Sequence, residues 1–220
     1  MKNYFNSYLD SFNKLTLEVD SSNLIQAANI ILSTNQSKNK IIIIGNGGSA
    51  AIASHLSVDF TKAAGIRAIN FNESSLLTCF GNDYGYENWV EHALKFYADE
   101  NDTIILISSS GKSKNIINGA KTAKLLKCKV ITFSGFERNN PLNGLGNLNF
   151  WVNSDNYNFI ETTHQIWLLS IVDYIIKQSM DWKMRVLLTG SQGYIGSVLL
   201  PILKKKYNVH GLDIGYYDKN

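Results

Sequence analysis

Two cysteines in 220 residues, Cys79 and Cys128, both in apolar surroundings, are too few for a disulfide framework or a thiolate metal site. Their scarcity fits a reducing compartment. No apolar run is long enough to cross a membrane, and the opening Met1-Lys2-Asn3-Tyr4-Phe5 lacks the apolar core of a signal peptide. Charge of one sign is also missing. Lys and Arg number 21 against 18 Asp and Glu, and the net charge of +3 is too mild to argue for nucleic acid. The basic run Lys204-Lys205-Lys206 sits in a helical segment and reads as a solvated face. No repeat or low-complexity segment is evident. These absences predict a soluble, cytoplasmic chain with neither nucleic acid nor membrane as partner, and a hydrophobic content of 45% is enough for a buried core.

What is present alternates between two periods. Leu9, Phe12, Leu15 and Leu17, then Leu24, Ala27, Ala28, Ile31 and Leu32, recur at helical spacing over residues 3–34, with Ser21-Ser22-Asn23 as a break and cap. Ile41-Ile42-Ile43-Ile44 is a β-branched run without alternation, as expected of a strand buried on both faces of a parallel sheet. Gly45-Asn46-Gly47-Gly48 forms the next turn, and Ser49 is placed to cap a helix to about Lys62. Further strands are predicted at 66–69, 103–107, 129–133 and 150–152, and helices at 88–98, 113–126 and 160–179. Strands alternating with helices predict a doubly wound α/β sheet. Its ligands bind beyond the carboxyl ends of the strands, where the Gly45 and Ser108 turns both fall.

Ser108-Ser109-Ser110-Gly111-Lys112-Ser113 is the most informative stretch. It follows the strand-like Thr103 to Ile107 and precedes a segment of helical periodicity. Such a turn offers hydroxyl and backbone N–H donors at a helix N-terminus, which together make a phosphate cradle. The plainer reading is a helix cap, but one cap needs one serine and this turn has four. His55 and Asp59, at i and i+4, share a helix face; they suit acid–base chemistry, a metal site or a simple surface pair. Asp83, in the polar stretch 81–86, could hold a sugar hydroxyl or form an Asx turn. Glu161 and His164, one turn apart on the last helix of this domain, carry the same ambiguity.

Gly45-Asn46-Gly47-Gly48-Ser49, Gly81-Asn82-Asp83-Tyr84-Gly85 and Ser108-Ser109-Ser110-Gly111-Lys112-Ser113, in that order and at these separations, resemble the sugar isomerase (SIS) domain family. Within that family the chain is similar to the phosphoheptose isomerases, over about residues 1–180. The resemblance implies a three-layer α/β/α sandwich of flavodoxin-like type with N-terminal helices. It implies a homo-oligomer, tetramer or dimer, with active sites near subunit contacts, and a small phosphorylated sugar as ligand. By position, Ser108, Ser109, Ser110 and Ser113 are implied as phosphate-binding residues, and Asn46, Gly47, Ser49, Asp83 and Glu161 as substrate contacts.

The implied reaction interconverts ketose and aldose phosphates through an enediol. Related isomerases place a glutamate four residues after the histidine matching His55; this chain has Asp59 there. They also place a glutamine and, eight residues later, a catalytic histidine on the last helix; this chain has Glu161 and Leu169. Leucine neither transfers protons nor binds zinc. Zinc, where the family uses it, takes those four positions, so a zinc site here would keep only His55, Asp59 and Glu161. No required cofactor and no metal are therefore expected, with Asp59 as base and His55 or His164 as its proton partner. The leading function is conversion of sedoheptulose 7-phosphate to D-glycero-D-manno-heptose 7-phosphate. The alternatives are a non-catalytic phosphosugar-binding or regulatory module, and isomerisation of another sugar phosphate.

Residues 184–220 read as a separate piece after a domain at 1–183. A strand at 185–188 leads into Gly190-Ser191-Gln192-Gly193-Tyr194-Ile195-Gly196, then a helix to about Lys206 and a strand ending at Asp213. This resembles the first βαβ unit of NAD-dependent nucleotide-sugar epimerases and dehydratases, in which Gly190, Gly193 and Gly196 would admit a pyrophosphate and Asp213 bind ribose hydroxyls. So short a Rossmann fragment is below the usual size for independent folding, and is expected to bind NAD poorly or not at all. Met184 opens it as a start codon would, which fits a shortened fusion or two joined reading frames.

Overall fold

Residues Ile41 to Ile44 are fully or almost fully buried, because the strand they form is covered on both faces. The computed structural model describes residues 2–181, 185–205 and 207–215. Two helices come first, α1 (Lys2–Leu17) and α2 (Ser21–Gln36), the second capped by the Asp20 side chain accepting from the Ser22 N–H. There follow β1 (Ile41–Gly45), α3 (Gly48–Lys62), β2 (Ala68–Asn70), α4 (Ser74–Tyr84), α5 (Trp89–Tyr97) and β3 (Thr103–Ile107). Then come α6 (Lys114–Leu125), β4 (Lys129–Ser134), β5 (Leu148–Trp151) and α7 (Tyr157–Asp181).

The five strands pair in parallel in the order β2-β1-β3-β4-β5. Helices cover the sheet, giving the expected α/β architecture. On one face Ile42, Ile44, Ile104, Leu106 and Val130 pack with Trp89, Val90 and Leu94 of α5 and with Ile116 and Ala120 of α6. At the amino edge, the buried Asp102 ties β3 to β1. Burial would raise its carboxyl pKa, but the Lys40 backbone N–H and ammonium, the latter 2.6 Å away, together with the Asp99 N–H and the Asn39 amide, hold it down. The strand order reverses direction between β1 and β3, where Gly45 lies opposite Ile107. The turns that leave these two strands are thereby brought together at the carboxyl edge, the position where such sheets bind ligands.

The sequence expectations hold for the strands, with bounds shifted by a residue or two. They fail at α4. The stretch Gly81 to Tyr84, expected as a turn, is the last turn of a helix whose start is capped by the Glu73 carboxylate, accepting from the Ser75 and Leu76 N–H groups. Ser49 also differs: the helix is capped at Gly47, and Ser49 lies inside its first turn, buried.

The chain divides into two compact units, Met1–Ile175 and Ile176–Asn220, the division falling within α7. The boundary expected between Lys183 and Met184 lies outside the described residues, as does Lys206. The second unit contains β6 (Arg185–Thr189), α8 (Tyr194–Lys204) and β7 (Asn208–Leu212), the two strands pairing in parallel. It is a single βαβ element with little interior. Tyr194, Ile195, Val198 and Ile202 of α8 are all exposed, and of the three glycines singled out only Gly196 is buried.

Candidate active site

The turn after β3 is built on short backbone bonds. Ser108 N–H donates to Phe133 O, Gly111 N–H to Ser108 O at 2.9 Å, and Gly135 N–H to Ser109 O at 2.8 Å. Gly111 has φ +63, and a Cβ there would collide with the Asn140 side chain, so the turn admits only glycine at that point. The Ser108 hydroxyl donates to Ser113 Oγ at 3.2 Å, and the Ser110 hydroxyl accepts from the Lys112 N–H. Ser113 is the N-cap of α6, yet its side chain makes no capping bond. Among the described residues, the N–H groups of Ser109, Ser110 and Ser113 meet no acceptor within the chain. The residues that carry these hydroxyls and unspent N–H groups line a cavity of about 130 Å³, together with Asn46, Ser49, Ile107, Tyr157 and Glu161. That donor set at a helix N-terminus suits a phosphate.

A second cavity, about 380 Å³, is lined by Gly48, Ala51, Ile52, His55, Glu161, Thr162 and Gln165. Glu161 is the one residue common to both linings. Its carboxylate accepts from the Ser109 hydroxyl at 3.4 Å and lies so close over Gly48 that any Cβ at that position would strike it. His55 Nε2 is 3.2 Å from Asp59 Oδ2, and Gln165 Nε2 is 3.1 Å from His55 Nδ1. With the Gln165 amide donating to Nδ1, the ring proton sits on Nε2 and is donated to Asp59.

The remaining site expectations divide. Asn46 is present but committed: it exchanges amide hydrogen bonds with Asn115 at 3.0 and 2.9 Å, and its Oδ1 also accepts from the Tyr86 hydroxyl. Gly47, with φ +55, shapes the turn and lines neither cavity. Asp59 reaches the second cavity only through His55. Asp83, expected as a substrate contact, lines neither cavity; it is exposed on α4, paired with Cys79 and Asn82.

His164 corrects the expectation most clearly. It is fully buried, edge-on to Phe133, with Nε2 bound to Ser134 O at 3.0 Å and Nδ1 unpartnered. Burial pushes its pKa down to about 4, against the opposing effect of the Ser134 carbonyl. It belongs to the packing behind the serine turn and touches neither cavity. Sequence reasoning missed Tyr157 and Gln165. Both lie four residues from Glu161 on α7, which puts all three on one helix face, and that spacing was the available signal.

Among the described residues, no group of three or more His, Cys, Asp or Glu is placed to hold a metal ion. Leu169 occupies the remaining position, so the residues present do not fit the four-ligand zinc set. A larger cavity of about 410 Å³, bordered by Glu18, Arg138, Trp151 and Trp167, shares no residue with the two above. In the second unit, Asp213 accepts from the Gln192 N–H at 2.6 Å and from the Gly215 N–H at 3.1 Å. These backbone donors, Gln192 foremost, hold its carboxyl below the usual range. Gly193 N–H is returned to Gly190 O.

The SIS domain profile matches residues 3–135. A phosphoheptose isomerase of Aliarcobacter butzleri is 35% identical over 154 residues, covering 67% of this chain and 81% of that protein. Among solved structures, a phosphoheptose isomerase from Francisella tularensis superposes with a TM-score of 0.72 at 27% identity, over 80% of this chain and 97% of the other. One from Neisseria gonorrhoeae gives 0.72 at 25% identity, over 79% and 98%. With its parallel sheet and serine-lined switch point, the chain belongs to the SIS domain family, as a member of phosphoheptose isomerase type.

Proposed function

We propose that the chain is a phosphosugar aldose–ketose isomerase whose leading reaction converts sedoheptulose 7-phosphate to D-glycero-D-manno-heptose 7-phosphate. The observation carrying this reading is the pair of cavities that share Glu161: a donor-rich chamber sized for a phosphate beside a larger one reaching His55. The phosphate is anchored by the Ser108–Ser113 turn, and the carbon chain extends past Glu161 toward His55. Isomerisation shifts one proton between adjacent carbons and one between their oxygens, so electrons are conserved and no redox cofactor is called for. The relatives named phosphoheptose isomerase support the substrate class. The working form is a homo-oligomer, tetramer or dimer, in the cytoplasm.

Incubation of the metal-defined protein with sedoheptulose 7-phosphate, followed by NMR, is expected to show the aldoheptose 7-phosphate accumulating. One feature favours a second reading, phosphosugar binding without turnover: Leu169 stands where related isomerases carry a histidine. Calorimetric binding of the sugar phosphate with no conversion would establish that reading instead.

A further inference from the structure

We propose that Glu161, not Asp59, is the base that carries the proton between the two carbons, and that Asp59 is a positioning residue for His55. The proposal rests on the isomerase reading above. Glu161 is the only carboxylate lining either cavity among the described residues. It stands at their junction, with one long hydrogen bond from Ser109 and its carboxylate lying directly over Gly48. None of the ion pairs among the described residues involves it. Its lone pairs are therefore available where a sugar carbon would pass. Asp59 is placed differently. Its carboxylate takes the His55 Nε2–H, Gln165 clamps the other ring nitrogen, and the pair fixes the imidazole between them. An acid on the far side of a clamped ring orients that ring; it does not meet the substrate.

The step balances without a further reactant. From the ketose, the Glu161 carboxylate takes a proton from C1. The C–H electron pair becomes the C1=C2 bond and the carbonyl pair moves to O2. The hydroxyl proton passes from O1 to O2 across the enediol, C1=O forms, and the Glu161 carboxylic acid returns its proton to C2.

The test compares Glu161→Gln with Asp59→Asn. A general base contributes on the order of 100- to 10,000-fold. Glu161→Gln is expected to lose at least about 100-fold in kcat while still binding sedoheptulose 7-phosphate in calorimetry. Asp59→Asn is expected to keep measurable turnover with a displaced pH profile of kcat, since it alters the histidine and not the base. Equal or greater loss in Asp59→Asn, with Glu161→Gln active, overturns the assignment. A second readout does not need the native substrate. A sugar-phosphate epoxide esterifies a carboxylate held against its reacting carbons, and peptide mapping locates the ester. Label on Glu161, prevented by excess inorganic phosphate, supports the proposal even if no heptose is converted, in which case the substrate reading alone fails. Label on Asp59, or no label on either residue, overturns it.

Discussion

The turn at Ser108 and the turn at Gly190 share one local plan: a parallel strand, a glycine-containing turn, then a helix. In the first, N–H groups of Ser109, Ser110 and Ser113, residues that line a cavity, are left without acceptors among the described residues. In the second, Gln192 and Gly215 donate to the Asp213 carboxylate and Gly193 donates to Gly190, and the N–H groups that stay unpaired among the described residues, those of Tyr194, Ile195 and Gly196, belong to the first turn of α8. The surroundings differ as much. The serine turn stands on a five-stranded sheet with both faces covered, whereas the glycine turn belongs to a two-stranded unit whose helix exposes its apolar side chains. An anion site is made by the donors that folding leaves unpaired, and a strand–turn–helix pattern alone does not say which those are.

The largest effect expected from disturbing this contrast comes at Gly111. A side chain there pays about 1–2 kcal/mol for the positive φ and also collides with Asn140. Gly111→Val should abolish phosphosugar binding in calorimetry while leaving hydrogen exchange of β6 and β7 unchanged. Acid should also act on the first unit. Unfolded histidine titrates near 6.5 whereas His164 titrates at about 4. Between those values the unfolded chain binds a proton that the native chain refuses, so stability falls as pH drops through that window. The full effect is about 3 kcal/mol. His164→Leu should flatten the fall in thermal midpoint between pH 6.5 and 4. Ser134 O keeps the Val152 N–H as a donor in that variant.

Ser109→Ala should weaken phosphosugar binding about 10- to 100-fold, as loss of a charge-assisted hydrogen bond of about 1.5–3 kcal/mol requires. The smallest effect belongs to the tail. NAD titration should show no saturation below about 1 mM. Asp213→Ala should speed amide exchange at Gln192 and Gly215 without altering phosphosugar affinity. A micromolar NAD dissociation constant would erase the contrast between the two turns.

Much of the fold was legible because its signals are local. The four isoleucines of β1, the run Thr103 to Ile107 and the serine turn each carry their meaning within a few residues. Helix α4 was not legible, because Gly81 and Asn82 read as a turn and its cap is a glutamate, a residue outside the usual capping set. At the site, the serines were readable from spacing, but the allocation of Glu161, His164 and Asp59 was not. Glu161 and His164 sit three residues apart on one helix, and only the packing of α7 puts one beside the cavities and the other against Phe133. The sequence pattern likewise gives no hint that Asp213 is already occupied by backbone donors.

The contact between Gly48 and Glu161 has a consequence for how this protein can change. A methyl group at position 48 and a carboxylate at position 161 claim the same space. A side chain at 48 must push aside the far end of the flexible Glu161 side chain, whereas a shorter residue at 161 leaves Gly48 undisturbed. Gly48→Ala should therefore fold, with the Glu161 carboxylate swung away from its place between the two cavities. Position 48 is thus a handle on where the carboxylate stands, reached by a single substitution that leaves Glu161 itself in place.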